Sequence, residues 1–108
     1  MLPKQYRLVR WENKQQASVF QTPFFTLRVA PNTFLYSRFG FVASKKIDKR
    51  AVVRNEVKRK VRSCIEAMQK DIRPGFDMFF FLKKAAVETQ RSEIDKRIQA
   101  LFAQEKFL

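Results

Sequence analysis

The 108-residue chain has no histidine, one cysteine and only ten acidic residues against 23 lysines and arginines. Each scarcity removes a class of chemistry. Without imidazole, no side chain titrates near neutrality in its ordinary state, so the formal net charge of +13 holds across physiological pH. One cysteine cannot close an internal disulfide. Cys64 falls on the apolar side of a helical pattern and reads as a small buried hydrophobe in a reducing, cytoplasmic setting. With scattered acids besides, there is no zinc set and no paired-carboxylate motif, so both catalytic and metal-ligating residues are read as none. No apolar run approaches the roughly 20 residues of a membrane span, and the N-terminus lacks the apolar segment of a signal peptide, so no membrane partner is expected. Repeats and low-complexity linkers are absent. The length supports one domain over 1–108, able to bury a real core.

Positive charge is present in excess and concentrated. Residues 45 to 62, KKIDKRAVVRNEVKRKVR, hold nine Lys or Arg against two acids. From Val53 onward Val57, Val61, Cys64, Ile65, Met68 and Ile72 recur every three or four positions, which predicts a helix with one apolar stripe. Arg54, Lys58 and Arg62 step by four along its flank. A rigid ladder of cations beside a core contact suits a nucleic-acid backbone, although a plain solvated face shares the pattern.

The remaining pattern predicts an α+β fold, a small central sheet with packed helices. The first twenty residues fit a short helix or an irregular arm. After Pro23, Phe25, Leu27 and Val29 alternate with Phe24, Thr26 and Arg28, as in a strand with one face on a core, and Pro31-Asn32 reads as its turn. Residues 34 to 43 predict a second strand, or two broken near Ser37. Pro74-Gly75 precedes MFFFL, residues 78 to 82, a central strand whose Phe79, Phe80 and Phe81 are all expected in the core. A last amphipathic helix carries Ile94, Ile98, Leu101 and Phe102, with Ser92 and Asp95 resembling a capping box at its start.

The segment AVVRNEVKRKVR, residues 51 to 62, resembles the arginine-rich signature of the bacterial ribonuclease P protein subunit, AVxRNRxKRxxRE. SRFGFVASKK at 37 to 46, LPKQYRL near the start and FDMFFFLKK after the helix are similar to that family's layout, so the resemblance spans most of the chain. It departs at Glu56, where the family usually has its second arginine, at Ser63 in place of a glutamate, and at Asp48, where glycine is common. The family's spaced phenylalanines near the N-terminus are compressed here to QASVFQTPFF, where Phe20 aligns.

The resemblance implies an α/β sandwich with a left-handed βαβ crossover, against the usual right-handed rule. It implies a non-catalytic subunit of the endoribonuclease that removes the 5′ leader from precursor tRNA. The catalytic RNA and the precursor tRNA would be its partners, with no protein partner required. No cofactor is expected on the protein alone; Mg2+ belongs to the holoenzyme, chiefly through RNA. The RNA-binding candidates are Lys45, Lys46, Arg50, Arg54, Asn55, Lys58, Arg59 and Arg62. Asn55 fits helix capping as well as RNA binding, and Lys45 and Lys46 fit solubilising edge charge as well as phosphate contact. The family's leader groove lies between the basic helix and the sheet, with Phe20, Phe24, Arg28 and Tyr36 as candidates; each of the three aromatics fits core packing equally well. A ribosomal or general RNA-binding protein, a small independent nuclease and a DNA-binding regulator are the alternatives. The last is disfavoured because no companion helix joins the basic one through a short turn.

Overall fold

The apolar alternations form a four-stranded mixed sheet with helices on one face. The computed structural model describes residues 3–9, 11 and 17–108. Its strands are β1 (Ser18–Gln21), β2 (Phe25–Pro31), β3 (Arg38–Val42) and β4 (Phe76–Leu82), and its helices α1 (Ala51–Met68), α2 (Ala85–Glu88) and α3 (Arg91–Gln104). The strand order is β1-β2-β4-β3. β2 runs antiparallel to β1 and β4, whereas β3 is parallel to β4, so α1 is the crossover between parallel neighbours.

The register sorts side chains onto two faces. Phe20, Leu27, Phe80 and Phe41 form one cross-strand row towards the helices. Beneath them Val57, Val61, Cys64, Ile65 and Met68 of α1 and Ile94, Ile98 and Phe102 of α3 complete one core, so the stripe predicted along the basic helix is all buried. Val19, Arg28, Phe79 and Gly40 form a row on the other face. There a Cβ on Gly40 would run into the Leu8 carbonyl and the Phe79 ring, which requires glycine at this position.

Several expectations change. β1 was not foreseen, because Val19 and Phe20 are too few to establish an alternation. Of the first twenty residues, Lys4–Tyr6 form a 3-10 turn and Arg7 bridges to Phe39 in parallel, while residues 1, 2, 10 and 12–16 lie outside the described residues. The second strand is Arg38–Val42 alone; residues 33 to 36 form a bend held by Asn32, whose Oδ1 accepts the Phe34 N–H at 2.9 Å. The phenylalanine triple splits by strand alternation: Phe79 and Phe80 are buried on opposite faces, and Phe81 is half-buried under the Arg28 guanidinium, 4.9 Å from its ring centroid. Helix α3 starts at Arg91 with Gln90 as its N-cap and no side-chain cap, so Ser92 lies inside the first turn. Asp95 accepts from Gln99 Nε2 instead, at 2.9 Å.

Candidate nucleic-acid interface

The connection from β3 into α1 sets the start of the basic surface. Lys45 and Lys46 are exposed in a turn at residues 45–47, just beyond the strand end, as the sequence predicts. Asp48 then organises the helix start. Its Oδ1 accepts the Arg50 N–H at 2.8 Å and the Arg50 Nε at 3.0 Å, and its Oδ2 accepts Arg50 Nη2 at 3.0 Å. The hydrogen bonds from the Arg50 side chain and backbone hold the Asp48 carboxyl down to about 2. Arg54 folds back on the same turn, its Nη1 donating to the carbonyls of Asp48 at 3.0 Å and Lys49 at 2.8 Å. Arg54 therefore closes the loop as well as carrying charge. Because α1 begins at Ala51 with Arg50 at the N-cap, Asn55 lies in the second turn, exposed, and the capping role falls away.

Along the body of α1 the two flanks differ. Lys60 turns towards α2, where its Nζ donates to the carbonyls of Ala86 (2.8 Å), Val87 (3.0 Å) and Thr89 (2.8 Å). That uses all three donors of the ammonium. Ser63 Oγ, one turn on, donates to the Lys60 carbonyl at 2.8 Å and accepts from Arg91 Nε at 2.8 Å. On the opposite flank lie Lys58 and Arg62, about 40° apart on an ideal helix. The Arg62 guanidinium lies 5.7 Å from the Phe41 ring centroid. Arg59 is exposed on the outward side. Among the described residues Lys45, Lys46, Lys58, Arg59 and Arg62 make no ion pair or side-chain hydrogen bond.

Between Arg62 and the N-terminal segment opens a cleft of about 330 Å3, floored by Phe39, Gly40 and Phe41 and walled by Arg7, Leu8 and Val9. Leu8 N–H donates to the Phe39 carbonyl at 2.7 Å, which fixes that wall against the edge strand. Sequence reasoning missed Arg7 and Phe41. The alternation of Phe39 with Phe41 could have picked out the latter, but nothing in the sequence shows that residues 7 to 9 return to β3. The four groove candidates do not converge here. Arg28 is exposed on the helix-free face of the sheet, as its alternation predicts. Phe20 packs edge-on against Phe107 at 5.9 Å, Phe24 is half-buried in the β1–β2 turn against the core, and Tyr36 sits in the β2–β3 connection.

The sequence model of the ribonuclease P family matches residues 2–106. The chain belongs to the ribonuclease P protein family. It is 32% identical to the ribonuclease P protein component of Synechocystis over 108 residues, which cover 95% of this chain and 87% of that one. It is 34% identical to the component of Roseiflexus castenholzii over 85 residues, 79% of this chain and 66% of that one. In fold it is similar to a Staphylococcus aureus RNase P protein mutant with defective mRNA degradation activity, with a TM-score of 0.81 at 21% identity, covering 97% of this chain and 92% of the other.

Against the ribonuclease P pattern two of the three departures acquire local roles. Asp48 supplies the carboxylate that receives Arg50. Ser63 provides the hydroxyl and carbonyl that hold Arg91, whose Nη2 donates to the Ser63 carbonyl at 3.2 Å. Glu56 is exposed, and Lys60, one turn on, is committed to α2 and offers it no partner. Cys64 is buried, and burial pushes its thiol up, so it remains a protonated packing group. Among the described residues no group of three or more His, Cys, Asp or Glu gathers to hold a metal ion, and no helix is long and apolar enough to cross a membrane. Asp77 is closed off by Arg38 and Asn32, and Asp48 is bound by Arg50.

Proposed function

We propose that this ribonuclease P protein binds the catalytic RNA and the single-stranded 5′ leader of precursor tRNA, and thereby promotes Mg2+-dependent removal of the leader. The observation that carries the proposal is the Arg62 guanidinium beside a half-exposed ring, Phe41, in one cleft, with Lys58 one helical turn before it on the same side of α1. Cations spaced by a helical turn neutralise phosphates, and a neighbouring ring accepts an unpaired base without demanding its identity. Lys45, Lys46, Arg50, Arg54, Asn55 and Arg59 extend the same surface from the helix start. Phosphate contacts of this kind position an RNA and raise its association rate.

Catalysis belongs to the RNA in this proposal. The side chains on the interface are cations, rings and an amide, which bind and orient but offer no nucleophile or general base. Mg2+ would be held chiefly by RNA, and its contribution is to stabilise the charge that develops on the phosphate. The protein lowers the repulsion between two RNAs brought together, which is a cytoplasmic task needing no protein partner. Reconstitution tests this directly: cognate catalytic RNA should cleave precursor tRNA at a lower Mg2+ concentration with the chain than without it. Equal Mg2+ dependence in both reactions would overturn the proposal, and cleavage by the chain without RNA would return it to a nuclease.

A further inference from the structure

Among the RNA-binding candidates, Arg50 alone stands in an ion pair within the described residues. Arg54 is held as well, but by the carbonyls of Asp48 and Lys49, which leave its charge uncancelled. Arg50 differs because its partner is an anion. Both oxygens of Asp48 meet one fork of the guanidinium, Oδ1 at 3.0 Å from Nε and Oδ2 at 3.0 Å from Nη2. Two parallel N–H···O bonds are also how a guanidinium takes two oxygens of one phosphate. The carboxylate therefore sits where an RNA phosphate would meet Arg50.

The two partners are held unequally. The Arg50 side chain is 72% exposed and that of Asp48 only 20%. Asp48 is fixed by more than the fork: its Oδ1 also accepts the Arg50 N–H at 2.8 Å, and Arg54 Nη1 donates to its carbonyl at 3.0 Å. An exposed ion pair grips weakly, so the long arginine can leave a carboxylate that the turn keeps in place. That carboxylate is charged throughout the physiological range, and a phosphate rather than a proton is what frees the guanidinium. We propose that Asp48 is an internal competitor for RNA: its carboxylate occupies the Arg50 fork in place of a phosphate and withholds Arg50 from RNA at the start of α1. The proposal rests on the RNA-binding function above and grades its surface. Lys45 and Lys46 before the helix, and Lys58 and Arg62 along it, bind with full charge, whereas Arg50 between them is muted. Glycine is common at position 48 in the family, so the competitor arises from this chain's own departure.

The test measures binding of the full chain to its cognate catalytic RNA over a series of salt concentrations. Asp48→Asn keeps an oxygen for the Arg50 N–H and removes the charge. It should steepen the dependence of log affinity on log salt by about 0.7 to 0.9, one phosphate contact, which at about 0.1 M salt is a gain of roughly five- to eightfold. Adding Arg50→Ala to Asp48→Asn should return the slope to that of wild type, because the freed guanidinium makes the new contact. Glu93→Gln, which removes one exposed charge on α3, should leave the slope unchanged and so separates a local contact from net charge. A merely structural Asp48 would move the thermal midpoint and not the slope. An unchanged slope in Asp48→Asn overturns the proposal, as does a gain that survives Arg50→Ala or is matched by Glu93→Gln. If Lys58→Ala and Arg62→Ala flatten the slope while Asp48→Asn leaves it alone, the competitor is lost and the RNA-binding function stands. If the wild-type chain does not bind the catalytic RNA, both fall together.

Discussion

On the flank of α1 that faces α2 and α3, Lys60 and Ser63 are occupied by the protein itself, whereas on the other flank Arg62 borders an open cleft and Lys58, one turn before it, makes no ion pair or side-chain hydrogen bond. Lys58 and Lys60 are two residues apart in a motif that reads as uniformly basic. The helix turns them to opposite sides, and the neighbours decide the rest: three carbonyls around α2 take one ammonium, and none reaches the other. A basic signature is therefore two surfaces, one that builds the fold and one left for polyanions.

The apolar seam between the flanks is where that comparison breaks most completely. Val57 is buried in the core, and Val57→Asp would place an unpaired charge there. A loss of about 4 kcal/mol or more is expected, close to the whole stability of a small domain. Circular dichroism should show an unfolded chain at room temperature. A folded Val57→Asp protein would mean that α1 is rotated about its axis and that both flanks are wrongly assigned.

The flanks themselves are compared by two single substitutions that should fail in opposite ways. Lys60→Ala removes a half-buried ammonium and leaves three carbonyls near α2 without their donor, a loss of about 1–3 kcal/mol. Its thermal midpoint should drop by several degrees while the salt slope of RNA binding stays unchanged. Lys58→Ala and Arg62→Ala should do the reverse, each lowering the slope by about 0.7 for a single strand or 0.9 for a duplex at constant thermal midpoint. A reduced slope in Lys60→Ala would show that RNA reaches the α2 side as well.

A smaller effect separates the start of α1 from its body by pH. The Asp48 carboxyl is held below its ordinary 3.8, at about 2, by its hydrogen bonds with Arg50. A depressed carboxyl pKa means a stabilising contribution fully present above the unfolded value and lost as pH falls through the folded one. The difference in thermal midpoint between wild type and Asp48→Asn should therefore be constant near neutrality and shrink between about pH 4 and pH 2. A difference that persists at the acid end would assign the role of Asp48 to shape rather than charge.

How much of this was legible depends on how local each feature is. The α1 stripe and the outward face of Arg28 follow from periodicity, and the central MFFFL strand from an unbroken apolar run, signals that a single segment carries on its own. β1 was lost because four residues cannot establish a period, and its pairing with β2 depends on a turn in which the buried Thr22 Oγ1 accepts the Phe25 N–H at 3.0 Å. The cleft was half legible. Arg62 lies in the signature, but Phe41 meets it only through the packing of α1 on β3, and Arg7 joins only through the return of the N-terminal segment along that strand. Tyr36, Phe20 and Phe24 share a residue type and not a place, since aromatic content alone cannot separate a core ring from a stacking one.

Glu56 gives the finest discrimination between the flanks. It replaces a family arginine, so charge reversal alone would suggest that Glu56→Arg restores lost RNA affinity. The geometry argues otherwise: Glu56 is exposed about 160° around the ideal helix from Lys58, on the side away from the β3 cleft. Lys60 cannot serve as its partner one turn on, because its three donors are already engaged. Its charge acts weakly on Arg50, raising that guanidinium's pKa behind the larger effect of Asp48. Glu56→Arg should therefore change RNA affinity by only a few tenths of a kcal/mol, less than about twofold, with a nearly constant salt slope, as for an exposed helical charge. Titrations at two salt concentrations decide it. A tenfold gain with a slope steeper by about 0.7 would mean that RNA wraps the back of α1, and the division into a protein-facing and an RNA-facing flank would no longer hold.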